Sequence, residues 1–158
     1  MESQFYNKEG LTLLKELEDS TVDLVLTDPP YIISRESGMN NLFNAEDKSK
    51  AKYGDKFAIQ TDYGDWDSKF TLDVLNKFIQ EYYRVLKPGG TCIIFFDLWK
   101  IESLKVLLED SKFYKLRFIE WIKTNPVPIN SKISYLTNSR EIALCCNKKG
   151  KSTFNSKY

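Results

Sequence analysis

Hydrophobic and polar positions along this chain fall into blocks whose period changes. Gln4–Tyr6 predicts a short strand and Asn7–Gly10 a turn. Leu11, Leu13, Leu14 and Leu17 then recur at helical spacing, which predicts an amphipathic helix over residues 11–18. Asp19-Ser20 breaks it. Val22–Thr27 follows as an apolar run with one acid, the pattern of a parallel strand covered on both faces. Phe70–Leu86 carries apolar residues on one side of a long helix, ended by Lys87-Pro88-Gly89-Gly90, which reads as a turn. Thr91–Phe96 predicts a second buried strand closed by Asp97, and Trp99–Leu108 a further amphipathic helix. Leu116–Ile122 and Glu141–Cys146 predict two more strands, joined by a loop over Asn125–Asn138.

Strands alternating with helices predict an α/β domain with a mainly parallel sheet. Ligands of such sheets bind at the carboxyl ends of the strands. Residues 35–68 interrupt the alternation: they are polar, rich in Gly and Asn, and hold five Lys or Arg between Arg35 and Lys56. A connection this long inside a compact domain is functional or disordered. Trp66 and Phe70 mark the return to the core.

At 158 residues the chain suits one domain with a real core. No apolar run is long enough to span a bilayer, and Met1–Gln4 does not resemble a signal peptide, so no membrane is expected. Cys92, Cys145 and Cys146 lie in strand-like apolar runs without metal spacing, as small buried hydrophobes in a reducing cytoplasm would. The absence of histidine excludes Ser-His-Asp and Cys-His nucleophiles and an ordinary Cys/His zinc site. The net charge of +1 hides a division: residues 100–158 hold 12 Lys and Arg against 5 Asp and Glu, leaving 11 against 17 before them. That balance fits a polyanion surface in the second half, or a solvated lysine-rich face.

The tip of the first core strand, Asp28-Pro29-Pro30-Tyr31, carries the most specific chemistry. Two prolines fix the backbone and leave their carbonyl oxygens free as acceptors. Asp28 adds a carboxylate and Tyr31 a flat face, so the natural guest is a planar ring with an amino group. Accepting hydrogen bonds from that amine localises its lone pair and makes the nitrogen a better nucleophile. A rigid turn with Asp28 as a cap is the alternative reading of the tetrapeptide.

With LTDPPY at residues 26–31, the chain resembles the amino-group DNA methyltransferases, in particular their permuted, adenine-specific group. The likeness extends to YNKEGLTLL, YRVLKPGGTCIIFF, FIEWIKTNPVP, SREIALCCNK and KSTFN, in family order over nearly the whole chain. The resemblance implies a Rossmann-like methyltransferase fold with an antiparallel strand near one sheet edge. It implies S-adenosylmethionine as methyl donor, no metal, double-stranded DNA as partner, and a role in bacterial restriction-modification. Asp28 and the Pro29 carbonyl would hold the amine of a flipped adenine, Pro30 would keep the loop rigid, and Tyr31 would stack on the base. The methyl would pass in line to N6, with the proton lost afterwards. Glu9-Gly10 takes the place of a Gly-Asp turn that meets the cofactor's adenosine end in relatives, and Asp28 also borders the cofactor. Trp121, Lys123 and Asn125 match a motif lining the base pocket, against the plain readings of core tryptophan, surface lysine and loop asparagine. Ile32 replaces the asparagine common after the tyrosine. The loop 35–68 and the segment Lys148–Lys157 are candidates for DNA contact.

The family's glycine-rich cofactor loop is missing: no two of the seven glycines have Gly-x-Gly spacing. In the permuted group it follows the target motifs. The chain is therefore expected to be a fragment, half of a split enzyme, or a divergent protein with another cofactor pocket, and its sheet edge at Val22–Thr27 is expected to lie open to a complementary chain or a homodimer partner. Two alternatives stay open on function, N4-cytosine methylation and a non-catalytic DNA-binding or assembly subunit.

Overall fold

The computed structural model describes residues 3–30, 70–124 and 139–153. The chain divides into two compact units, residues 1–29 with 72–158, and residues 30–71. The larger unit carries the sheet. The loop 35–68, with Trp66, lies outside the described residues, as does Asn125–Asn138.

The first helix, α1 (Gly10–Glu16), starts under a side-chain cap: the Glu9 carboxylate accepts from Leu11 N at 3.0 Å and Thr12 N at 2.6 Å. Gln4–Tyr6 precedes it without forming a strand; Phe5 is exposed, and no described strand lies beside it to pair its backbone. Strand β1 (Val22–Thr27) falls where its apolar run predicts. Helix α2 (Leu72–Val85) turns Leu75, Ile79, Tyr82 and Val85 inward, a stripe at helical period. Its Arg84 reaches back to α1. The guanidinium donates to Leu14 O at 2.7 Å, which also accepts from Leu17 N at 3.1 Å, and to Leu17 O at 2.9 Å, so it holds the carbonyls at the end of α1.

Strand β2 (Leu86–Phe95) begins directly after α2, so Lys87–Gly90 belongs to the strand and does not form a free turn. The sequence reading was partly sound, because the pairing breaks there: Val22 faces Leu86, whereas Leu24 already faces Thr91. Four residues of β2 bulge out across that break. Gly89 has φ +84°, and a Cβ there would stand 2.1 Å from the Lys151 carbonyl oxygen. Gly150 meets the same bulge, with Gly89 N only 2.5 Å from where its own Cβ would be. The Gly-Gly pair thus lets two backbones touch.

A 3₁₀ turn (Leu98–Lys100) leads into α3 (Ile101–Asp110), which buries Leu104 and Leu108. Strands β3 (Tyr114–Ile122) and β4 (Arg140–Asn147) complete a sheet of order β1-β2-β4-β3. β1 and β2 are parallel, and β4 is antiparallel to both of its neighbours, so the reversed strand sits next to one edge, as the resemblance implies. One sheet face carries Cys92, Ile94, Leu144 and Cys146 in register against the helices, all of them buried. Cys145 is buried as well, so the three cysteines are core residues. Among the described residues no helix is long and apolar enough to cross a membrane.

The other face is only partly covered. It carries Leu24 and Leu26 of β1, Ile93 and Phe95 of β2, and Ile119 and Trp121 of β3. Leu24 is 51% and Leu26 61% exposed. Among the described residues β1 pairs only with β2, which leaves one side of its backbone open.

Candidate active site at the carboxyl edge

Because β4 runs opposite to its neighbours, β1, β2 and β3 all point the same way and end on one edge of the sheet. Asp28 follows the last residue of β1. Its level is fixed by the pairing of Thr27 with Ile94. Tyr82 of α2 adds a second tie, since its buried phenol shares a hydrogen bond with the Thr27 side chain. Asp28 is exposed, and Pro29 and Pro30 are half-buried. Tyr31 and Asn125 lie outside the described residues.

The structure does not gather every candidate at that tip. Trp121 stands on β3, the far edge of the sheet, with β2 and β4 between it and β1. At ~4.8 Å per strand spacing, three spacings separate them. Phe95 bridges part of the gap: its ring meets Trp121 edge-on at 5.9 Å, on the same face as Leu26. Lys123 is paired with Glu141, which takes up its charge. The Glu9 carboxylate spends its oxygens on the start of α1 and on the Thr12 hydroxyl at 2.7 Å. The Thr12 hydroxyl, followed by the two backbone amides, holds this carboxyl below its usual range. Gly10 is explained by packing, for a Cβ there would sit 3.0 Å from the Phe78 ring. Lys148 also has structural employment. Its ammonium donates to Leu86 O at 2.7 Å and Arg84 O at 3.3 Å, and lies 5.0 Å from the centre of the Tyr83 ring. Of the basic segment, Lys149 and Lys151 are exposed, and residues 154–157 lie outside the described part.

Three residues at this edge were not singled out from sequence. Phe95 was read as core. Asp97 was read as the end of a strand, but its carboxylate accepts from Trp99 N at 3.0 Å and so caps the 3₁₀ turn. Trp99 was read as the first residue of an amphipathic helix, and it is 86% exposed. The Asp97-x-Trp99 spacing was the available signal, an acid two residues before the amide it caps.

Along the edge strand, Leu13, Leu14, Leu17, Leu24 and Leu26 line an open groove of about 420 Å³. Its lining is apolar. Among the described residues no group of three or more His, Cys, Asp or Glu could hold a metal ion.

Comparison with known proteins converges on one family. A DNA methylase family model matches residues 22–158. The type II methyltransferase M2.DpnII of Streptococcus pneumoniae is 31% identical over 163 residues, which cover 96% of this chain and 56% of that protein. M2.LlaDCHI of Lactococcus lactis subsp. cremoris is also 31% identical, over 97% of this chain and 56% of its own length. The chain thus spans about half the length of these curated relatives. Among solved structures, the M1.HpyAVI–SAM complex superposes with a TM-score of 0.61 at 23% identity, covering 98% of this chain and 58% of that one. The cytosine-N4-specific PvuII DNA methyltransferase reaches the same TM-score at 15% identity, over 93% and 49%. These two likenesses establish the Rossmann-like methyltransferase fold of the sheet. With its Asp-Pro-Pro tip at the carboxyl edge of that sheet, the chain belongs to the N6/N4 amino-methylating DNA methylase family.

Proposed function

We propose that this chain is the target-base portion of a site-specific DNA adenine methyltransferase. One observation carries the reading: Asp28-Pro29-Pro30 projects from the carboxyl end of a strand whose level is fixed on two sides, by β2 and by Tyr82. The Asp28 carboxylate and the Pro29 carbonyl accept the two N–H groups of an exocyclic amine and leave its lone pair aimed outward. Pro30 holds the carbonyl in place, since its ring fixes φ. Tyr31 stacks on the extruded base. S-adenosylmethionine, when bound, supplies an electrophilic methyl group.

The described residues fit the acceptor side of this reaction and not the nucleoside side of the donor. Glu9 is engaged in capping, Gly10 in packing, and Gly89 in a backbone contact. The groove beside β1 is apolar. We infer that polypeptide outside these 158 residues completes the cofactor cradle, docking against the open side of β1. The reading places the protein in the cytoplasm, within a modification system.

The test is transfer of a tritiated methyl group to DNA, followed by nucleoside analysis, with the relatives' missing portion supplied as a second chain. Label in N6-methyladenine is expected, and Asp28→Ala should lower it by roughly 100-fold or more, the scale for losing a group that stabilises the reacting centre. Label in N4-methylcytosine would move the base assignment. Unchanged transfer by Asp28→Ala would remove Asp28 from its role.

A further inference from the structure

We propose that Trp99 is a second nucleic-acid contact, a stacking platform for a base flanking the one held at Asp28; this rests on the DNA reading above. The first argument is exposure. Trp99 is 86% exposed and its neighbour Leu98 is 55% exposed, so two large apolar side chains adjacent in the chain both face solvent. The second is rigidity. The Asp97 side chain accepts from Trp99 N at 3.0 Å and the Asp97 carbonyl from Lys100 N at 3.0 Å, so the turn is held from both sides. A flat ring presented on a fixed backbone loses little conformational freedom when a ligand covers it.

The third argument is place. The turn follows β2, and β2 is the strand directly beside β1, with Ile94 level with Thr27. The turn that carries Trp99 therefore follows the strand next to the one that ends at Asp28, on the same edge, and the two strands run about 4.8 Å apart. Extruding one base leaves its neighbours without a stacking partner. A fixed aromatic face one strand away offers that partner, and base–aromatic stacking tolerates any sequence because every base has a π face. Lys100, next in the chain, adds a cation for the phosphate beside it. The occupant is an unstacked DNA base.

The test is binding of a fluorescently labelled oligonucleotide duplex with one unpaired adenine, followed by anisotropy with the full chain. Trp99→Ala should weaken binding by roughly 10-fold, and Trp99→Phe by less than about 3-fold, because the ring keeps its stacking face. Circular dichroism checks that both variants fold; the Asp97 cap is untouched in each. If Trp99→Ala binds as tightly as the parent, the proposal fails while the DNA reading stands. If the parent chain shows no DNA binding, both fail together.

Discussion

Burial of the Tyr82 ring pushes its phenol up to about 12, because a phenolate under α2 would lose its hydration. The side chain is 8% exposed, and its hydroxyl still finds Thr27. The sign of the pH effect follows. Below pH 10 the folded and unfolded chains both hold this proton, and the contribution is fully in place. Above pH 10 the unfolded chain releases it first, so stability falls as pH rises and the loss is complete near pH 12. Two pH units correspond to about 2–3 kcal/mol, roughly half of it gone by pH 11. Urea unfolding at pH 8 and pH 11 should show Tyr82→Phe losing less stability than the parent over that interval. Equal losses would mean that the phenol is not buried as described. At this scale the place of Asp28, one residue past the end of β1, was legible in the sequence, because the apolar run stops there. Glu9 was not, since a carboxylate before a helix reads alike as ligand or cap until its distances to the amides are known.

Among the elements, α3 ends in a way no periodicity would reveal. Phe113 N donates to Leu108 O at 3.0 Å and Lys112 N to Glu109 O at 2.8 Å, with Lys112 at φ +67°. This is the Schellman closure, in which glycine is the usual residue at the left-handed position. Lysine there carries a Cβ penalty, so Lys112→Gly should stabilise the chain by about 0.5–1 kcal/mol despite the freedom it adds to the unfolded state. Thermal melting checks the sign: a lower midpoint would show that the Lys112 side chain contributes more than its backbone costs. Phe113 then packs edge-on against Tyr83 at 5.1 Å, tying α3 to α2. The strands and helices themselves were readable, because each buries one stripe or run against a common sheet. The Lys-Pro-Gly-Gly bulge was not. Its glycines look like a turn, and the segment is held in the sheet by contacts with residues 148–151, some sixty residues on, which no local pattern reveals.

At the scale of the molecule, the β1 edge leads to a prediction about association. Leu26 is 61% exposed on a strand that pairs on one side only among the described residues, and an unpaired strand side is a template for another extended chain. Leu26→Lys should reduce self-association of the isolated chain in light scattering, with little change in its unfolding midpoint, since an exposed site costs within about 0.5 kcal/mol. It should also weaken capture of the cofactor-binding portion. Unchanged scattering would place the contact elsewhere. The apolar groove beside β1 was not foreseeable, because it depends on where α1 settles against α2.

The interlock of Gly89 with Gly150 and Lys151 also sets a route. It pins residues 148–151 beside the start of β2, at the opposite border of the sheet from Asp28. Anything threaded onward from Thr153 sets out from the amino border and must travel the height of the sheet to reach Asp28. Over the five paired positions of β2 with β4 that journey takes at least ~16 Å, about five residues of extended chain. A tether shorter than that, however well its far end fits, would arrive at the wrong side of the protein.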